Sequence, residues 1–319
     1  MIAVLGAGAW GTAIAHLLAT NGHSVRLWCF EPEVADMINQ TRNNARYMPN
    51  IVLPNAIHAT ASLAEALQGA AIAFQAIPVA HMRSVLSSVR PVGLKSIVNL
   101  SKGIEIGTAL LPLDIIRDVW GDDVPGVVVS GPSYARELMH KQMTGFVVAA
   151  HESAVAQQVA ALLTNTYCVA DISTDIHGIQ LVGAYKNVIA ILIGALQGIG
   201  CGDNAQALLF VRALAELKNL IRQYHGDEQS VYSLAGIGDS VLSAFGGLSK
   251  NKACGQLIGT GESLESIEQK LGRLPEGINT LRALEPQVTR HWQQFPLTHI
   301  LIRIVSGQEK AHALLYSIK

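Results

Sequence analysis

The sequence predicts an α/β protein, an N-terminal doubly wound, parallel-rich sheet followed by an all-α C-terminal domain. Three observations predict it. Short apolar runs alternate with helical patterns through the first half. Several of those runs are continuously apolar, as in strands buried on both faces of a parallel sheet. Near residue 175 the strand signal stops, and helical periodicity takes over. Two domains of ordinary size are expected in 319 residues, 1–174 and 175–319.

Taken in order, strands are expected over residues 2–5, 24–29, 71–76, 96–100, 126–129, 145–149 and 168–171. Helical patterns lie between them, at 12–20, 79–89 and 153–163. Strand–helix–strand order is the pattern of a doubly wound sheet. In the second half, residues 205–223 place Leu208, Leu209, Leu214, Leu217, Leu220 and Ile221 on a one-sided stripe.

Half of the residues are hydrophobic and 15% are charged, which excludes a disordered chain. The net charge of −1, from 23 basic and 24 acidic residues, provides no general field for nucleic acid or an anionic membrane. Any anionic ligand must be held by a few local groups. Cys29, Cys168, Cys201 and Cys254 are far apart, without metal-ligand spacing, and are expected as free thiols in a reducing compartment. The chain begins on a strand-like run rather than a signal peptide. The most apolar later stretch, 188–196, is shorter than the roughly 18–20 residues of a membrane span. A cytoplasmic protein without a membrane span is expected.

The segment Gly6-Ala7-Gly8-Ala9-Trp10-Gly11 follows a strand and opens a helix. That context is what a Rossmann-type dinucleotide turn requires. Gly6 permits the tight turn, Gly8 lets a pyrophosphate approach the backbone, and Gly11 lets the helix pack close. Helix N–H groups then attract the phosphates. Glu31 follows the second strand, somewhat beyond the usual spacing of about 20 residues for an acid on the ribose hydroxyls. It either takes that role, favouring NAD, or charges the helix start at Pro32. NAD and NADP both stay open.

Two further strand ends carry chemistry. Lys102, before Gly103, either meets cofactor and substrate oxygens or is a solvated lysine. Ser130-Gly131-Pro132-Ser133-Tyr134-Ala135 opens a helix, and Ser133 is either a site residue or an N-cap. In the second half Lys186 heads the apolar run from Val188. A lysine buried there needs a partner, and burial lowers its pKa, as suits an acid/base group. Otherwise it snorkels from the helix start. Asp239 either pairs with Lys186 or caps the next helix. Ser249, Lys250 and Asn251 form either a phosphate site at a helix start or a polar turn.

Six ordered motifs together resemble the bacterial glycerol-3-phosphate dehydrogenase family, over essentially the full length. They are GAGAWGTAIA from Gly6, SKGIE from Ser101, SGPSYARE from Ser130, GAYKNVIAI from Gly183, AGIGD from Ala235 and LSKNKACGQLIGTG from Leu248. The resemblance implies interconversion of dihydroxyacetone phosphate and sn-glycerol 3-phosphate with NAD or NADP, feeding phospholipid synthesis. It implies Lys186 as the catalytic lysine, with Asp239 beside it. It implies Lys102, Gly131, Ser133, Asp239, Ser249, Lys250 and Asn251 at the substrate. Gly6, Gly8, Ala9, Trp10, Gly11, Phe30, Glu31, Lys102, Ala135, Lys250, Leu274 and Glu276 are implied at the cofactor, and a homodimer as the assembly. No metal is implied.

The chain also departs from the family pattern. Lys250 stands where arginine is usual and keeps the charge without the planar fork. Val211 and Ala213 flank Arg212 in place of Thr and Gly, Ser243 replaces a Thr, Ala9 a frequent Ser, and Phe30 a frequently basic or polar residue. Two rival functions are weighed beside this one: a β-hydroxyacid dehydrogenase or ketoacid reductase of related architecture, and a dinucleotide sensor without turnover.

Overall fold

The computed structural model describes residues 1–318; Lys319, the last residue of the expected second domain, lies outside them. The strands are β1 (Ile2–Leu5), β2 (Val25–Trp28), β3 (Asn43–Asn44), β4 (Met48–Val52), β5 (Ile57–Thr60), β6 (Ile72–Gln75), β7 (Ser96–Asn99), β8 (Gly126–Ser130), β9 (Thr144–Ala150) and β10 (Cys168–Ser173). Eight form one sheet in the order β10-β9-β8-β7-β6-β1-β2-β5, while β3 and β4 form a small antiparallel hairpin. All neighbours in the large sheet run parallel except β8 and β9. β1, β6 and β7 are continuously apolar or nearly so, and are buried.

All seven expected strands are present within a residue or two. β5 and the hairpin are not expected from the sequence. β5 is a sheet edge with His58 exposed, and β3 has only two residues, so neither carries an apolar run.

The register aligns the carboxyl ends that matter. Leu5 lies level with Trp28 and Gln75, and Gln75 with Asn99. The chain reverses its direction of winding between β1 and β6, the switch point at which doubly wound sheets bind ligands.

The helices around this sheet are α1 (Ala9–Thr20), α2 (Pro32–Thr41), α3 (Leu63–Leu67), α4 (Val79–Leu86), α5 (Pro112–Trp120), α6 (Ala135–Met139) and α7 (Ser153–Leu163). α2 begins on Pro32, whose missing N–H costs nothing in a first turn, and stops at Arg42 in the left-handed region. α3 is capped by the Ser62 hydroxyl, which accepts from the Glu65 amide.

Beyond residue 175 the described residues of the second unit form helices without strands: α8 (Ile176–Ile199), α9 (Asp203–Gln223), α10 (Asp239–Phe245), α11 (Lys250–Gly259), α12 (Leu264–Leu271), α13 (Glu276–Arg290), α14 (Pro296–Val305) and α15 (Leu314–Ser317). The chain divides into two compact units. One comprises Met1–Ser101 and Pro112–Ile176; the other comprises Lys102–Leu111 and the chain from His177 onward. The strap Lys102–Leu111 is therefore grouped with the helical unit, where Tyr224 donates a hydrogen bond to the Ala109 carbonyl at 3.1 Å.

α8 is longer than its most apolar stretch suggests. By length and composition it could cross a membrane, yet 94% of its apolar window is buried inside the protein. Glycines explain how closely it is covered. A Cβ on Gly194 would lie 2.1 Å from the Lys252 carbonyl oxygen, and one on Gly198 2.2 Å from that of Gln256. From α11, Gly255 and Gly259 meet the carbonyls of Ile191 and Ala195 at 2.1 and 2.3 Å in the same sense. Backbone meets backbone, so the two helices approach more closely than side chains would allow.

Buried polar groups complete this unit. Glu216 accepts from the amides of Leu297 and Thr298, the Thr298 hydroxyl and the Tyr185 hydroxyl. Its carboxylate thus holds the start of α14, where helix N–H groups lack partners of their own. Burial nonetheless raises its pKa.

Candidate active site

The first candidate cluster is the turn after β1. Gly6 has φ 109°, a conformation that side-chain-bearing residues resist, and its amide donates to the Trp28 carbonyl at 3.1 Å. A Cβ on Gly11 would fall 1.8 Å from the Gly6 oxygen, so α1 can start this close only from glycine. At Gly8 a Cβ would meet nothing within 4 Å. Gly8 is the N-cap of α1, with no side-chain cap and no acidic residue in the first turn. This open ground beside unpartnered helix amides fits a dinucleotide pyrophosphate. α1 begins at Ala9 rather than at the expected Thr12 because the turn already winds helically. Trp10 packs near Phe146, ring centroids 6.3 Å apart.

Asn44, which no sequence motif singles out, holds this turn from behind. Its buried amide donates to the Ala7 carbonyl and to the Thr12 hydroxyl oxygen, both at 2.8 Å. Thr12 donates in turn to Ala7 at 3.1 Å. At the end of β2, Phe30 is exposed and Glu31 caps α2 by position, without a side-chain cap bond. Next along the sheet, Gln75 donates to Asn99 at 2.7 Å and accepts from the Ile77 amide at 2.7 Å. Asn99 donates to the Ser101 carbonyl, and the Ser101 hydroxyl to the Ile77 carbonyl. This network fixes the two strand ends that lead to Pro78 and Lys102.

Gly131 has φ 151°, and a Cβ there would lie 2.4 Å from the Gly145 oxygen. The Ser133 hydroxyl donates to the Gly131 carbonyl at 3.0 Å. The N-cap of α6 is Tyr134 rather than Ser133, and Ala135 is the first helical residue.

A second, separate cluster lies wholly in the helical unit. A π-helical turn, Leu234–Gly238, precedes α10; such turns often mark functional positions. The close approach of Gly236 to the Val231 carbonyl, 2.1 Å for a Cβ, permits it. Asp239 emerges buried. Its Oδ2 accepts from Lys102 Nζ at 2.5 Å and its Oδ1 from Lys186 Nζ at 3.1 Å. Lys186 also donates to the Ser243 hydroxyl at 2.8 Å, which lies 3.4 Å from Asp239 Oδ1.

Burial lowers the Lys186 pKa, Asp239 opposes that and Lys102 adds to it, for a result of about 8. Burial also works against charge on Asp239, but the two lysines outweigh it and hold its carboxyl below the usual range. The Lys186 side chain is 13% exposed. An ammonium has three donors; Asp239 and Ser243 occupy two. The third has no partner among the described residues.

One residue further along α8, Asn187 accepts from the Asn251 amide at 2.9 Å, and Asn251 Oδ1 accepts from the Gly277 amide at 2.9 Å. Asn251 is thus a tie between α8, α11 and the start of α13. Ser249 caps α11 by accepting from the Lys252 amide at 3.2 Å, and Lys250 is exposed at the first helical position. Glu276 opens α13, two residues after Leu274.

The structure therefore brings Lys102, Lys186 and Asp239 together, and sets Lys250 and Asn251 at one helix start. Asn44, Asn187 and Ser243 are not among the site residues expected from the sequence; only Ser243, as a changed residue beside Asp239, leaves a trace there. All four cysteines are free, and no cluster of potential metal ligands occurs among the described residues.

A glycine turn at a switch point, together with a buried lysine–aspartate cluster, defines a dinucleotide-dependent dehydrogenase. Residues 1–156 match the profile of the NAD-dependent glycerol-3-phosphate dehydrogenase N-terminus, and residues 175–316 that of its C-terminus. The chain belongs to this family, whose members are NAD(P)-dependent oxidoreductases acting on a CH–OH group. A Bacillus cereus protein named glycerol-3-phosphate dehydrogenase (NAD(P)+) is 37% identical over 95% of this chain and 91% of its own length. The crystal structure of a glycerol-3-phosphate dehydrogenase from Coxiella burnetii superposes with TM-score 0.93 at 29% identity, covering 99% of this chain and 98% of that one. A ketopantoate reductase from Ralstonia eutropha reaches TM-score 0.57 at 17% identity, covering 97% and 99%, a likeness of fold alone.

Proposed function

We propose that this chain reduces dihydroxyacetone phosphate to sn-glycerol 3-phosphate, with Lys186 as the proton donor. The observation that carries this reading is the Lys186 ammonium, held by Asp239 and Ser243 with one N–H left over. The bound reduced nicotinamide would supply a hydride to the carbonyl carbon. As negative charge grows on the ketone oxygen, the spare N–H of Lys186 stabilises it and then gives up its proton. A pKa of about 8 suits both roles. The amine is charged at neutral pH, yet loses a proton more readily than an ordinary lysine. Asp239 keeps the proton on Lys186 until transfer and fixes the direction of the amine. Lys102, on the other oxygen of Asp239, adds positive charge.

Gly6, Gly8 and Gly11, with the first amides of α1, would hold the cofactor phosphates. Lys250 and the start of α11 would hold the substrate phosphate, which anchors the reacting carbon. Asn251 would add its second N–H to that phosphate while tying the helix start to α8 and α13. The reading carries with it a cytoplasmic homodimer that feeds glycerophospholipid synthesis. Four free thiols fit a reducing compartment.

Steady-state oxidation of NADH and NADPH is the test, with dihydroxyacetone phosphate set against 2- and 3-oxoacids. Turnover with dihydroxyacetone phosphate alone is expected. Faster turnover of an oxoacid would overturn the substrate, and cofactor binding without any turnover would favour a sensor.

A further inference from the structure

The sequence places Leu208 on the apolar stripe of α9, but the structure turns it outward. The core side of this helix is formed by Gln206, Leu209, Ala213, Leu217 and Leu220. A surface helix ordinarily carries polar residues on its other side. Here Leu208 is 47% exposed and Val211 65%, and Ala207 and Ala215 beside them are exposed as well. Ala207, Val211 and Ala215 stand four residues apart, so they make one ridge. Val211, at its centre, takes the place of the family's common threonine, an apolar group where water would be met. The face continues sideways onto α10. Phe210 meets Phe245, ring centroids 5.6 Å apart, and Phe245 and Val241 are themselves exposed. The two ends of the α9 face are charged, with opposite sign. Asp203 opens the helix, and its carboxylate takes no partner among the described residues. Lys218 donates to the Tyr232 hydroxyl at 3.1 Å and has two more N–H groups to give.

We infer that this face of α9 is where two copies of the chain meet, helix against helix and antiparallel, about a twofold axis at Val211. The inference rests on the homodimer carried by the reading above, and gives it a contact surface. A twofold contact sets one surface against itself, and α9 is complementary to itself when reversed. The ridge of one protomer enters the groove of the other, and the two Val211 side chains meet at the axis. Asp203 and Lys218 lie eight and seven residues to either side of Val211. Lys218 of one protomer therefore comes opposite Asp203 of the partner subunit. A parallel pair would set acid against acid and base against base. A stable dimer buries about 800 Å² on each partner, more than one helix face offers, so the contact runs on over Phe245 and Val241. None of these side chains takes part in the proposed chemistry, so association and turnover can be measured apart.

Sedimentation velocity of the full chain over a range of concentrations is the test, with circular dichroism as the control for folding. The wild type is expected to sediment as a dimer. Val211→Asp puts two carboxylates against each other at the axis, and should raise the dissociation constant by about 100-fold or more. Asp203→Lys and Lys218→Asp should each weaken the dimer several-fold, by setting like charges opposite one another. The double variant exchanges the two ends and should restore the dimer, a rescue that damage to the helix itself would not allow. A dimer that survives Val211→Asp, or a double variant no tighter than the single ones, would overturn the face and leave the homodimer standing. A wild type that stays monomeric would overturn the homodimer and the face together, whatever its turnover with dihydroxyacetone phosphate. Should that monomer co-sediment with vesicles of phosphatidylcholine and phosphatidylglycerol, and lose this in Val211→Asp, the face would belong to a lipid surface instead of a second copy.

Discussion

The two candidate clusters, one in each unit, are built from opposite materials. In the first unit the proposed cofactor turn would work through what is missing: Gly6, Gly8 and Gly11 leave room, and helix amides would supply the attraction. In the helical unit the work falls to charged side chains taken out of water, Lys102, Lys186 and Asp239. Backbone amides do not titrate and, proline apart, survive substitution, so the turn is most easily broken by filling its space. The second half fails when any one charge is lost, since the others then stay buried without compensation.

Substitution of the lysine tests the contrast most severely. Lys186→Met should lower kcat by about 10²–10⁴-fold, with circular dichroism and NADH affinity near wild type. Turnover within a few-fold of wild type in a folded variant would remove Lys186 from the chemistry. Asp239→Asn should cost stability as well as rate, about 3–5 kcal/mol by removal of one member of a buried ion cluster, measured by denaturant unfolding.

The glycines sharpen the comparison from the other side. Gly11→Ala puts a methyl group on the Gly6 oxygen, and should destabilise by about 1–3 kcal/mol. Gly8→Ala meets only open space. It should leave Tm unchanged and weaken NADH, because the methyl group occupies the ground meant for phosphate. If both variants lost the same stability, Gly8 would not border a ligand.

A pH profile separates the halves without mutation. Ketone reduction needs the charged amine, so its rate should fall as pH rises through about 8, the Lys186 value. The reverse oxidation needs the neutral amine and should rise over the same range. Asp239 is what holds that pKa up against burial, so Asp239→Asn should shift both limbs to lower pH. NADH affinity should show no limb there. The smallest effect is expected from Lys250→Arg, which restores a planar fork at the start of α11. KM for dihydroxyacetone phosphate should fall several-fold with kcat unchanged; an unchanged or higher KM would mean that the lysine already suffices.

These regions also differ in how far they can be read from the sequence. The glycine turn is legible because its function lies in local backbone, and local backbone follows from adjacent residues. The central strands, such as β1, are legible because both of their faces are apolar. Asn44 is not, since an asparagine in a polar stretch looks like an ordinary turn until the fold carries it to Ala7. Lys186 and Asp239 can be offered as a pair, because a buried lysine needs an anion, but a snorkelling lysine and a capping aspartate read the same until the fold sets them 3.1 Å apart. That Lys102 shares that anion requires the fold, as 137 positions separate the two in the chain. The same holds for the strap, whose attachment to the helical unit follows from contacts rather than composition. Asn251 reads from the sequence as a phosphate ligand; the fold shows one N–H donated to Asn187 and Oδ1 accepting from Gly277, a tie that sequence does not reveal, with its second N–H left for a ligand.

The glycine interlock of α8 and α11 has a consequence for the newborn chain. A ribosome completes Ile199 well before it reaches Lys250, so α8 emerges with its apolar surface uncovered. The face that α11 covers closes only once residues 250–259 have been made, so Gly255 and Gly259 should bear on folding yield as well as on packing.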